Sequence, residues 1–200
     1  PAPAQHVPGD FLGSSRAQAA VFRQLEGNWY FQDMAHAPGA YAVQQFGLPG
    51  DIPVPADYDG DRITDFAVFR PAENTWYVRF SNTQTINSVL FGVSGDVPVP
   101  ADYDGDGRAD LAVYRPGIAT LFYRPTTDQL NDRTVSLGQR GDIALPCDYD
   151  GNGTADPAVY RPRDGTWHIM LGGSETQISL GTAGDIPLPG AADYGPWPRN

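Results

Sequence analysis

One phrase, written three times, decides most of what this chain can become. GDIPVPADYDGDRITDFAVFRP begins at Gly50, GDVPVPADYDGDGRADLAVYRP at Gly95 and GDIALPCDYDGNGTADPAVYRP at Gly141. A shortened form, GDIPLPGAADYG, begins at Gly184, so the intervals are 45, 46 and 43 residues. The N-terminal segment carries the later part of the unit: AVFR at Ala20–Arg23, NWYF at Asn28–Phe31 and FG at Phe46. A period in the forties with several short strand-like runs is the pattern of propeller blades, each a small sheet that buries its faces against its neighbours. Four strands per unit are expected. In the second unit they run over Ile52–Ala56 (A), Phe66–Arg70 (B), Thr75–Phe80 (C) and Ile86–Phe91 (D). No segment sustains a 3.6-residue apolar period, so helix should be nearly absent.

Strand A carries a positional clue. Pro53 and Pro55 stand two apart, so both missing N–H groups fall on one edge of the strand, and Pro98 with Pro100 and Pro187 with Pro189 repeat the arrangement. Proline is tolerated in a sheet where that edge is unpaired, which makes strand A an edge strand. Strand B (FAVFR, LAVYR, PAVYR) is apolar on both faces, as in a sheet covered on both sides. The C-terminal unit stops after strand A and the N-terminal unit starts near strand B. The expected fold is therefore an all-β propeller of four four-stranded blades. The last blade combines N-terminal strands B–D with C-terminal strand A, and the chain break falls in its A–B loop. The units are 50–94, 95–140, 141–183 and the composite 14–49 with 184–190, in one repeat domain with terminal arms 1–13 and 191–200.

Composition narrows the class. Glycine and proline are abundant (23 and 19 residues) but periodic, and 12% aromatics argue for a packed protein rather than a disordered one. A net charge of −11 speaks against nucleic-acid and anionic-membrane surfaces. Much of that charge sits in three short loops. No run of 18 apolar residues exists, so no helical membrane span is expected. Cys147 is the single cysteine and takes the slot of Ala56 and Ala101, where a small buried residue is expected. The sequence opens on Pro1 rather than Met, which suits a removed signal peptide.

The three loops read DYDGDRITD, DYDGDGRAD and DYDGNGTAD, with side-chain oxygens at positions 1, 3, 5 and 9 and a backbone carbonyl available at position 7. Asp and Gly favour turns by themselves. A plain turn, however, needs two or three such residues, not four acceptors in one register three times over. Alternate oxygens on a tight turn can wrap a hard cation, and Ca²⁺ takes six to eight oxygen ligands while Mg²⁺ prefers a smaller octahedral site. Three Ca²⁺ ions would bring the charge from −11 to −5. The loops are not EF-hands, because position 12 holds Val68, Val113 and Val159 instead of a bidentate Glu. Arg62, where the sibling loops have Gly107 and Gly153, and Asn152, in place of an Asp, predict sites of unequal strength.

The unit FG-x-x-GD-x-PVPADYDGDG-x-x-D-x-AVYRP resembles the FG-GAP or VCBS repeat, the blade also found in the head of integrin α-subunits. Relatives of this kind commonly have seven blades, whereas this chain encodes four. The resemblance implies Ca²⁺ between strands A and B, held by Asp57, Asp59, Asp61 and Asp65, by Asp102, Asp104, Asp106 and Asp110, and by Asp148, Asp150, Asn152 and Asp156. The carbonyl ligands it implies are those of Ile63, Arg108 and Thr154. It also implies an extracellular or cell-surface setting and relatives among adhesins, lectins and appendages of polysaccharide-acting enzymes.

Other features read as scaffold. Arg23, Arg70, Arg115 and Arg161 close strand B in every unit, and Trp29, Trp76 and Trp167 open strand C, with Leu121 in the remaining slot. His6, His36, His168 and Cys147 share no ligand or catalytic spacing, and no HExxH or phosphate loop is present. Asn152-Gly-Thr154 matches a glycosylation triplet at an expected metal ligand. Departures from the repeat mark candidate binding surfaces: Pro1–Gly13, Ala35–Tyr41, the C–D turn at Pro125–Asp132, and the tail Ala191–Asn200 with Trp197. The leading expectation is a non-enzymatic, secreted calcium-binding adhesion module for a glycan or an extracellular protein. The alternatives are a filament protomer that self-associates by strand complementation between half-repeats and, more distantly, a polysaccharide-acting enzyme.

Overall fold

Short alternating runs separated by Gly- and Asp-rich turns can only pair locally, and each repeat does so. A computed structural model describes residues 9–32 and 41–188. The N-terminal repeat forms β1 (Ala20–Arg23), β2 (Asn28–Phe31) and β3 (Ala42–Gln45), antiparallel in the order β1-β2-β3. The next repeat forms β4 (Ile52–Pro53), β5 (Phe66–Arg70), β6 (Thr75–Arg79) and β7 (Ile86–Leu90). The third gives β8 (Val97–Pro98), β9 (Leu111–Arg115), β10 (Thr120–Arg124) and β11 (Arg133–Ser136). The fourth gives β12 (Ile143–Ala144), β13 (Ala158–Arg161), β14 (Thr166–Leu171) and β15 (Ser174–Ser179). Each of these three sheets is four-stranded and antiparallel in chain order.

Strand A is shorter than expected, two residues in each of these repeats whether proline (Pro53, Pro98) or Ala144 stands second. Only Ile52 and Pro53 pair as a ladder with Phe69 and Val68. Val54 N–H then donates to Ala67 O at 2.9 Å, as Val99 does to Ala112 and Leu145 to Ala158. The strand therefore spends its available donors on strand B, and the proline nitrogens lie along the free edge of the sheet. Strand B meets its expected burial: Ala67, Val68 and Phe69 are each at most 1% exposed.

The chain divides into two compact units, Pro1–Ser94 and Gly95–Asn200, each holding two repeats. In the first, Phe11, Trp29, Phe31, Phe46 and Val68 form a core against which Phe22, Phe66 and Tyr77 pack. In the second, Val99, Tyr103, Tyr114, Leu121, Leu137 and Val159 belong to the corresponding core. Trp29 and Trp76 are core residues as expected, and their indole N–H groups donate to Phe46 O (2.7 Å) and Phe91 O (3.1 Å). Where Leu121 replaces tryptophan, the hydroxyl of Tyr114 takes over and donates to Leu137 O at 3.2 Å. Trp167 is only half-buried.

The repeated arginines are indeed scaffold, and each has a fixed partner. Arg70 grips Asp51 with two hydrogen bonds of 2.9 and 3.0 Å, and Arg115 with Asp96 and Arg161 with Asp142 do the same. The three aspartates are at most 7% exposed. Paired bidentate geometry is what makes a buried carboxylate tolerable.

Two expectations need amending. The N-terminal repeat does not begin at strand B: Gly9 bridges Gln18 as Ala56 bridges Asp65, so its A–B loop is present. The chain break cannot then explain why the chain lacks a fourth carboxylate set; side-chain replacement does. The described part of the C-terminal half-unit, residues 184–188, forms no strand, and the N-terminal sheet has three strands. Pro189, Gly190, the tail Ala191–Asn200, residues 35–40 of the insertion, the arm up to Pro8, and His6 and His36 lie outside the described residues. Cys147 is half-buried rather than fully buried. Four antiparallel sheets of three or four strands, with no helix among the described residues, fit a four-blade propeller-like fold.

Candidate metal centres

The three acidic loops join β4 to β5, β8 to β9 and β12 to β13. Each is pinched at its base by an antiparallel bridge: Ala56 with Asp65, Ala101 with Asp110, Cys147 with Asp156. Within the loop, positions 4 and 6 take left-handed backbone, at Gly60 (φ 83°) and Arg62 (φ 69°), Gly105 (81°) and Gly107 (84°), and Gly151 (78°) and Gly153 (92°). That double reversal turns successive N–H groups inward. Asp57 accepts them from Gly60 and Arg62 at 2.6 Å each, Asp102 from Gly105 and Gly107, and Asp148 from Gly151 and Gly153. Arg62 adopts this conformation against the steric preference of a side-chain-bearing residue, which its glycine counterparts avoid.

Position 9 ties the loop to its other strand. Asp65, Asp110 and Asp156 accept the N–H of Tyr58, Tyr103 and Tyr149 at 2.8, 2.9 and 2.9 Å. The same tyrosines anchor the loop through their hydroxyls, which donate to Val54, Val99 and Leu145 carbonyls.

The fold brings carboxylate oxygens of Asp57, Asp59 and Asp61 within 4.8 Å of one another, and likewise Asp102, Asp104 and Asp110, and Asp148, Asp150 and Asp156. Of the remaining expected ligands, Asp106 accepts from Arg108 N–H and Thr126 Oγ1, and Asn152 Oδ1 accepts from Thr154 N–H. Ile63 N–H likewise donates to Asp61.

Charge is poorly matched in these clusters. Burial pushes the carboxyls of Asp65 and Asp110 up to about 7, and neighbouring loop carboxylates add to the shift. Burial also raises Asp57, Asp59, Asp102 and Asp156. Asp59 Oδ2 is buried without a hydrogen-bond partner. An oxygen-only donor set with an orphaned carboxylate oxygen fits a hard cation.

A contribution from the C–D turn was not legible as such. Ser81 donates through N–H to Asp65 and through Oγ to Asp61, both at 2.7 Å. Thr126 repeats this on Asp110 and Asp106, and Thr127 reaches Asp104 Oδ2 at 2.6 Å. The turn at Pro125–Asp132, a candidate binding surface by sequence, is stapled by Arg124 and Asp132 and braces a loop. In the fourth repeat the turn is Gly172-Gly173, which has no hydroxyl to offer.

Residues 57–113 match the model of the FG-GAP-like repeat, from the first acidic loop through strand B of the following repeat. No curated protein matches the chain. Among solved structures, the crystal structure of BBS1N in complex with ARL6DN, soaked with lead, is similar over 88% of this chain with a TM-score of 0.52 and 11% identity. The chain spans 57% of the length of that structure, and the likeness is one of fold. Residues 57–113 thus carry an FG-GAP-like repeat, and the same loop pattern recurs at Asp148 in a sheet of the same build.

Proposed function

We propose that this protein is a calcium-stiffened, non-enzymatic binding module that works outside the cell, its loops presenting a surface to a protein or glycan partner. The observation that carries the calcium reading is the threefold convergence of carboxylates within 4.8 Å, one of them with a buried, unpartnered oxygen. FG-GAP repeats often bind Ca²⁺ and are typical of extracellular domains that bind proteins. The full ligand sets would be the four side chains of each loop with the carbonyls of Ile63, Arg108 and Thr154. No helix among the described residues is long and apolar enough to cross a membrane.

The test is a calcium titration by calorimetry on two aspartate variants. Asp104→Ala should lose one site of three, because Asp104 is central to its cluster. Asp164→Ala, which removes an exposed carboxylate paired with Arg163 outside the loops, should keep all three. Equal stoichiometry in both variants would show that the loop register is wrong.

Self-association is a second reading, favoured by one observation. Ile186 and Leu188 are 84% and 82% exposed, although Leu188 repeats the position of Val54, which is 1% exposed. Light scattering separates the two: a monomeric mass in calcium supports the module, and long particles support strand exchange between copies.

A further inference from the structure

The N-terminal loop Asp10–Gln18 aligns without a gap on Asp57–Asp65: DFLGSSRAQ against DYDGDRITD. The likeness is geometric as well as sequential. Gly13 (φ 64°) and Ser15 (φ 57°) repeat the left-handed positions of Gly60 and Arg62. Asp10 accepts from Ser14 and Ser15 N–H groups, and Phe11 N–H donates to the position-9 side chain, here Gln18 Oε1, at 2.6 Å. Gly9 and Gln18 form the bridge at the base.

What differs is the centre. Positions 3, 5 and 9 are Leu12, Ser14 and Gln18 instead of three aspartates. The Gln18 side-chain nitrogen donates to Asp10 Oδ1 (3.3 Å), Ser14 Oγ (3.0 Å) and the Arg16 carbonyl (2.5 Å), which are positions 1, 5 and 7. Those are three of the positions whose oxygens would face the ion in the sibling loops. The orientation of the amide is fixed by its neighbours, since reversing it would set its oxygen against a carboxylate and a carbonyl and its nitrogen against an N–H. Gln18 itself is only 4% exposed, although residues 12–17 of the loop around it are exposed. Burial pushes the Asp10 carboxyl up, but the hydrogen bonds from Ser14, Gln18 and Ser15 outweigh it and hold it below its ordinary value, the reverse of the acidic loops.

We propose that Asp10–Gln18 is a calcium loop in which the side-chain amide of Gln18 stands in for the cation, so that the N-terminal repeat is closed without metal. The inference rests on the calcium reading of the other three loops. The amide-filled loop also serves its neighbour. Asp10 O accepts Thr64 N–H at 2.9 Å, and Gly13 lies so close to Ile63 that a Cβ there would meet its side chain at 2.8 Å. The link repeats between Asp102 O and Ala155 N–H, where both loops are acidic. Loop 57–65 is thus braced by a cation-independent support, while loops 102–110 and 148–156 brace each other.

The test restores the missing ligands. The variant Leu12→Asp/Ser14→Asp/Gln18→Asp, titrated with Ca²⁺ beside the wild type, should bind four ions to the wild type's three. Three ions in both, with the variant's β-sheet circular dichroism intact, would overturn the proposal. A wild type that binds none would instead overturn the calcium reading beneath it. Hydrogen exchange on the wild type decides the matter even if the variant misfolds. On chelation the amides of Phe11, Ser14, Ser15 and Gln18 should keep their protection, while those of Tyr103, Gly105, Gly107 and Asp110 lose it at least tenfold. Parallel loss in both sets would contradict a metal-free loop.

Discussion

Chelating calcium at pH 8 is expected to lower the melting temperature by more than ten degrees. An ion that binds only the native state stabilises it by RT ln(1 + [L]/Kd), about 4 kcal/mol per site at a thousandfold excess. For a chain of this length about 1 kcal/mol moves Tm by roughly 2–4 °C. The effect should depend on pH in a defined direction. In the calcium-free protein Asp65 and Asp110 have carboxyls raised to about 7, above the 3.8 of an unperturbed group. A raised acid favours the folded state while protonated, so its contribution is present below pH 4 and is lost as pH climbs toward 7. Calcium needs the same groups deprotonated and binds more tightly over that range. The gap between loaded and chelated melting curves should therefore widen from pH 5 to pH 8. A gap that narrows with rising pH would mean that these carboxylates do not meet the ion.

The second large effect lies away from the loops. Arg70→Ala should cost about 3 kcal/mol in urea denaturation, because it strands the Asp51 carboxylate, which is 1% exposed. Among the described residues, the Asp51 carboxylate would keep its bond from Leu48 N–H. Arg23 is the repeat equivalent of Arg70, yet it pairs with Glu26 at the surface, with side chains 54% and 44% exposed. Arg23→Ala should cost under about 1 kcal/mol. Similar losses at the two positions would show that the bidentate pair is not what the repeated arginine supplies.

The contrast between these arginines shows what was readable in the sequence. Strand B at Phe66–Arg70 was legible to the residue, because its apolar run is bounded by an Asp loop and a Pro turn. Strand A was legible in place but not in length: its ladder is two residues long in the fourth repeat as well, where Ala144 replaces Pro53. The arginines were visible as repeats, but their partners were not. The available signal was a constant offset of 19 residues from Asp51 to Arg70, Asp96 to Arg115 and Asp142 to Arg161. Nineteen residues before Arg23 stands Ala4, so that repeat was bound to differ. The acidic loops could be read because carboxylate identity carries their chemistry. The N-terminal loop could not, because Leu12, Ser14 and Gln18 preserve its backbone while discarding the letters by which a metal loop is recognised. Contacts of Ser81 and Thr126 to the loops depend on strand C returning its turn to the A–B side, which only three-dimensional pairing reveals.

Three loops that each hold one calcium ion make the number of bound ions the decisive quantity. Metal-stripped wild-type protein, titrated with Ca²⁺ by calorimetry and checked by native mass spectrometry, should take up three ions per chain. The site at 148–156, with Asn152 and no hydroxyl in its C–D turn, should fill last. A chain that stays folded and binds no calcium at millimolar concentration would contradict the account, and the acidic loops would then be turns and nothing more.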